Sequence, residues 1–152
     1  MKLNFFAILL AGVATCLIAS APAKDEAAKK DKDKIHGTWR AVTGEIASQQ
    51  IPEEALKGLD MTLEFKEDKY TFKTTTENET GTFKIDPDKQ PKTLTFKIES
   101  GEDKDKTQLG IYTFEDGKLK ICVVKAGEKE RPTEFKTKEG TTQSLFVFKK
   151  QE

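Results

Sequence analysis

The residues able to do chemistry are few and far apart. The chain has one histidine, His36, beside Gly37. A lone imidazole with no nucleophile or acid near it in sequence reads as a surface or capping residue rather than a general base. Cys122 lies in the apolar run "KICVV", where strand alternation turns it away from Ile121 and Val123. It reads as a small buried filler, because a reactive thiol needs a cation beside it and partial exposure. Paired carboxylates occur in two turns, Asp86 with Asp88, and Glu102 with Asp103 and Asp105. Such groups can share a proton or hold a hard cation. Neither turn has the glycine placement of a calcium loop, and "IDPDKQP" reads as a Pro-punctuated turn opened by Asp86. A transition-metal site needs several His or Cys ligands, which are missing. So are a phosphate-cradling glycine loop and a serine elbow. The expectation is a protein with no catalytic residues, no metal and no cofactor, and hence not an enzyme.

Charge excludes another class. The 152 residues carry 26 basic and 26 acidic side chains with the signs interspersed, which describes a solvated surface rather than a steering field. Phe and Lys do alternate along several segments, as on a base-stacking platform. Period two, however, sends them to opposite faces, so the Phe face is core and no nucleic-acid partner is expected.

Three segments differ in composition. Residues 1–23, "MKLNFFAILLAGVATCLIASAPA", have one charge, an apolar middle and a small-residue A-P-A end. That is the layout of a secretory signal cleaved after Ala23. Lipidation at Cys16 is a poorer fit, since Thr15 precedes it and more apolar residues follow. An uncleaved signal is the one membrane anchor the pattern permits, the apolar run being short of the roughly 20 residues a spanning helix needs. Residues 24–34, "KDEAAKKDKDK", are nearly all charge, so a disordered spacer is expected, with a short surface helix as the other option. Residues 35–150 form the domain. Export is expected, to a periplasmic, cell-envelope or secreted location. Without the signal one cysteine remains, which cannot close an internal disulfide.

What positions the side chains is a run of strands. After "GTWRAV" comes "IPEEALKGL", a short helix with Pro52 in its first turn, Glu53 and Glu54 at its positive end and Gly58 as its stop. From Asp60 the period becomes two: Met61, Leu63 and Phe65; Tyr70 and Phe72; Phe83 and Ile85; Leu94, Phe96 and Ile98. Turn clusters separate these from "TQLGIYTF", "KLKICVV", "TEFKT" and "SLFVFKK". In "GIYTF" and "LFVF" both faces are apolar, as in strands covered on both sides or joining the ends of a closing sheet. The fold class is all-β, a small antiparallel meander barrel of about eight or nine strands, closed to remove its edges, with one short helix after the first strand. Phe65, Phe72, Phe83 and Phe96 face inward and either fill the barrel or line a cavity for an apolar ligand.

Two resemblances add to this reading. "GTWR", Gly37 to Arg40, is similar to the G-x-W start of lipocalins and related calycin barrels. In that family the Trp packs at the closed end against an Arg from a late strand. The resemblance implies that role for Trp39, with Arg131 or Arg40, the two arginines of the chain, as its partner. The pieces "IDPDKQPKTL", "GIYTFEDGKLKIC" and "RPTEF" resemble a family of secreted domains of unknown function from planctomycete bacteria, over Ile35 to Lys150. That resemblance implies a bacterial exported protein and marks Gly37, Trp39, Pro91, Gly110, Ile111, Tyr112, Leu119, Cys122, Arg131, Pro132 and Phe135 as motif positions, with packing and turn formation as their roles. The function expected is an exported, non-catalytic lipocalin-like barrel that binds a small apolar ligand. The alternative is a solid-cored cell-envelope module whose outer surface binds protein or polysaccharide.

Overall fold

The computed structural model describes residues 22–152. The signal expected over residues 1–23, up to residue 21, and the lipid alternative at Cys16 lie outside the described residues. Helix α1 (Pro22–Ile35) leads into β1 (Gly37–Ile46), the two-residue β2 (Gln49–Gln50) and the short helix α2 (Glu53–Leu59). Seven strands follow: β3 (Thr62–Lys66), β4 (Lys69–Lys73), β5 (Asn78–Asp86), β6 (Thr93–Ser100), β7 (Thr107–Glu115), β8 (Lys118–Val123) and β9 (Ser144–Lys150). They form one antiparallel sheet in the order β2-β1-β3-β4-β5-β6-β7-β8-β9. Pairing of β9 with β1, from Trp39 opposite Lys150 to Ile46 opposite Ser144, closes it. The result is an eight-stranded meander barrel with β2 as an extra strand on β1.

Local chemistry explains the path. "EDGK" puts Asp116 (φ 50°) and Gly117 (φ 72°) both at positive φ, which matches the twist of a tight hairpin. Period two then sends Leu63, Phe65, Phe83, Leu94, Phe96, Tyr112, Leu119 and Ile121 into one core. Helix α2 runs through Gly58 and ends instead at Asp60, whose left-handed φ of 48° lets its N–H cap the last carbonyls.

Two expectations are corrected. "TEFKT" is not a strand. β8 pairs directly with β9, from Lys118 opposite Lys149 to Val123 opposite Ser144, so no ladder position remains between them. Residues 124–143 instead form a strap across the outer face. Its Thr137 is buried and hydrogen-bonds the Ser48 N–H at 2.7 Å, and Lys136 presents its carbonyl to the Cys122 thiol at 3.8 Å. This is the cover over the two-faced strands: Tyr112 points into the barrel while Ile111 and Cys122 point outward and are still buried. Residues 24–34 are not a disordered spacer but belong to α1. The helix is held not by an apolar face but by one buried carboxylate. Asp31 Oδ2 accepts hydrogen bonds from the Tyr112 hydroxyl and from Lys92 Nζ, each at 2.7 Å. Lys32 pairs with Asp68 at 2.8 Å, and Ile35 is fully buried. A buried charge is tolerated when it is paired and hydrogen-bonded in this way.

Candidate functional site

The barrel has a sealed end and an open end. At the sealed end, Trp39 Nε1–H donates to the Ile35 carbonyl of α1 at 2.7 Å. The cation over the Trp39 ring is Lys150, at 5.3 Å from the centroid, and not an arginine. Arg40 pairs with Asp60. Arg131 reaches Thr95 Oγ1 at 2.8 Å and the carbonyls of Leu94 and Gly110 at 2.7 and 2.5 Å. Thr95 is on the outer face, because its neighbours Leu94 and Phe96 are core residues. Arg131 therefore clamps the strap to the outside of the β6–β7 wall, whereas Trp39 lies on β1. The expected pairing of Trp39 with Arg131 or Arg40 is replaced by Lys150–Trp39, set by the register of β1 against β9.

The open end holds a cavity of about 230 Å³. Its floor and walls are Leu63, Tyr70, Phe72, Phe96, Ile121, Val123, Phe146 and Phe148. Its mouth is polar: Glu77 and Glu79 at the start of β5, Asp103 in the turn after β6, Gln108 on β7 and Ser144 on β9. Of the four inward phenylalanines named from the sequence, Phe72 and Phe96 line this cavity. Phe65 and Phe83 do not. They pack edge to face at 4.7 Å, with Phe65 also stacked on Phe96 at 6.2 Å.

Gly81 makes room for the aromatic wall. A Cβ there would sit 2.9 Å from Tyr70 Cε1 and 2.0 Å from the Lys97 carbonyl oxygen. The Tyr70 ring lies 4.5 Å from Phe96, and its hydroxyl donates to Glu79 Oε1 at 2.8 Å. Burial raises the Glu79 carboxyl above the ordinary carboxylate range. The Tyr70 hydrogen bond opposes that shift, and the nearby Asp103 and Glu77 charges add to it. Burial first, then Glu79, pushes the Tyr70 phenol well above its usual range.

The sign of the Glu79 effect is definite. A carboxyl whose pKa is higher folded than unfolded holds its proton better in the native state. Stability therefore falls as pH rises from the unfolded value near 4.5 through the raised native one. Glu79→Gln keeps an acceptor for Tyr70, so it is expected to stabilise the protein at pH 7 and to change little well below pH 4.5. Urea melts at both pH values read this directly.

The other chemistry-bearing residues do not converge here. His36 Nε2–H donates to the Glu67 carbonyl at 3.0 Å in the β3–β4 turn. Asp86 Oδ1 accepts from the Asp88 N–H at 3.1 Å, an Asx turn. Burial pushes the Cys122 thiol up to about 11, which keeps it protonated at neutral pH. Gly37 opens β1 at φ 114° against Lys150, and Pro132 is buried beside Arg131 in the strap. Among the described residues no three His, Cys, Asp or Glu side chains could hold one metal ion. Glu79 is not among the residues the sequence motifs single out, although stepping back by twos from Phe83 through Gly81 puts it on the inner face.

A family model described as a lipocalin-like domain matches residues 35–121, more than half of the chain. The comparison with curated proteins finds no match.

Proposed function

The chain belongs to the lipocalin-like domain family, and from that membership we propose an exported, non-catalytic barrel that binds a small apolar ligand at its open end. One observation carries this reading: the cavity walled by Tyr70, Phe72, Phe96, Ile121, Phe146 and Phe148. Sites for small molecules are concave, mostly apolar and supplied with a few polar groups, and usually span roughly 300–1,000 Å³. A volume of about 230 Å³ suits a compact ligand or the tail of a longer one. Export rests on the basic start, apolar middle and A-P-A end of residues 1–23. The resemblance to secreted planctomycete domains agrees with it. No described helix is long and apolar enough to cross a membrane. The outer surface offers less to a partner. Ile46 is the one exposed large hydrophobic among the described residues, and single apolar side chains are ordinary on any surface.

Native mass spectrometry of the protein recovered from its own host's envelope tests the reading. Extra mass that leaves on denaturation is the expected result. A clean unliganded mass, with no uptake of added apolar compounds, overturns it.

A further inference from the structure

The mouth of the cavity is charged in one sense. Glu77, Glu79 and Asp103 line it, and no Lys, Arg or His does. Lys106 pairs with Asp103 at 2.7 Å, but Glu77 and Glu79 make no ion pair among the described residues. Two carboxylates are thus left uncompensated beside an apolar floor, one of them half-buried and hydrogen-bonded only by a neutral phenol. The repulsion is felt within the site, since Glu77 and Asp103 both disfavour the charged form of Glu79. The carboxylates do not converge tightly enough to hold a metal ion. A larger, softer organic cation needs no such convergence, and its apolar part can follow the wall that Tyr70 and Phe96 help to form.

We propose that the ligand is a cationic amphiphile, an alkyl or aryl amine or ammonium, with its tail on the Phe72 and Phe96 floor and its charge among Glu77, Glu79 and Asp103. The proposal rests on the binding reading above. A fatty carboxylate would set a third negative charge against two unpaired ones. A neutral tail would cover the half-buried Glu79 without return, whereas a cation is paired by it and by the exposed Glu77.

The test is calorimetric titration of n-octylamine, n-octanol and octanoate, with ethylamine as the tailless control, at neutral pH and low salt. Octylamine is expected to bind about tenfold tighter than octanol, equivalent to about 1.4 kcal/mol. Octanoate should be weakest and ethylamine silent. Raising the salt should erode the amine's advantage, because the rim is partly exposed. The double substitution Glu77→Gln, Glu79→Gln should abolish the preference for octylamine over octanol. Equal binding of octylamine and octanol, or a preference for octanoate, overturns the cationic head while the apolar-ligand reading stands. Ethylamine binding as well as octylamine would reduce the effect to surface attraction and overturns the proposal. If no eight-carbon probe binds the folded protein, the binding reading fails and takes this one with it. The comparison among probes uses the unaltered protein, so it holds even where the double substitution folds poorly.

Discussion

Phe65→Ala is expected to cost about 3–5 kcal/mol of folding stability, the range for truncating a fully buried aromatic. Phe65 is 1% exposed and stands where the packed half of the barrel meets the hollow half. It contacts Phe83 edge to face on one side and stacks beneath Phe96 on the other. Its neighbours cannot collapse into the gap, because Phe83 and Phe96 are register partners on paired strands and each is held by its own ladder. The loss is therefore the transfer term plus a cavity that stays open. A domain of this size has only about 5–15 kcal/mol in total, so the variant should be marginal. A thermal melt followed by Trp39 fluorescence is the measurement. A drop of only a few degrees would mean that the floor of the cavity is loosely packed. Phe72→Ala, at a half-buried position on the cavity wall, should cost clearly less.

The contrast between those two phenylalanines marks what could be read in advance. Period two placed Phe65, Phe72, Phe83 and Phe96 on one face and so implied the barrel. Alternation reports which face a side chain takes, but not how far along the barrel axis it lies. That height is set by register and shear, and it separates filler from lining. The mouth was illegible for a related reason. Glu77 and Asp103 lie in the connections before β5 and after β6 and Glu79 is in β5 itself, and the pairing of Thr80 with Ser100 sets them side by side. The corrected elements share a different cause. Helix α1 is docked through Asp31, and the strap through Thr137 and Arg131, all polar groups satisfied by distant partners. Hydrophobic periodicity detects apolar burial and is blind to burial of this kind. "TEFKT" also alternates like a strand, but alternation cannot tell whether the ladder beside it is already taken. The partner of Trp39 is set by register, which supplies Lys150, and the rarity of Arg40 and Arg131 carries no information about register.

Arg131→Ala is expected to cost about 1.5–3 kcal/mol, the range for a hydrogen-bonding set with a charged donor. One guanidinium bridges the β6–β7 seam, reaching the carbonyls of the opposed pair Leu94 and Gly110 as well as the Thr95 hydroxyl. It also fixes the middle of a strap that carries no strand of its own. Elsewhere the strap is held by Thr137 with Ser48 and Glu45, by the Lys136 carbonyl over Cys122, and near its ends by backbone bonds of Val124, Gly127 and Gln143. Releasing the clamp should let the strap lift and expose the outward apolar pair Ile111 and Cys122. Arg131→Lys retains the charge but not the planar fork, so it should restore less than half of the loss. Four readings separate this clamp from a partnership with Trp39. Urea titration should show the stability loss. Amide exchange should quicken through residues 124–143 ahead of the barrel strands. Cys122 should become reactive to a thiol reagent, since burial is what now holds its pKa up. Native Trp39 fluorescence should stay unchanged, because Arg131 grips the outer face of β6 and β7 while Trp39 lies on β1, and should shift instead in Lys150→Met. A Trp39 shift in Arg131→Ala with Cys122 still protected would mean that the clamp is not where the geometry puts it.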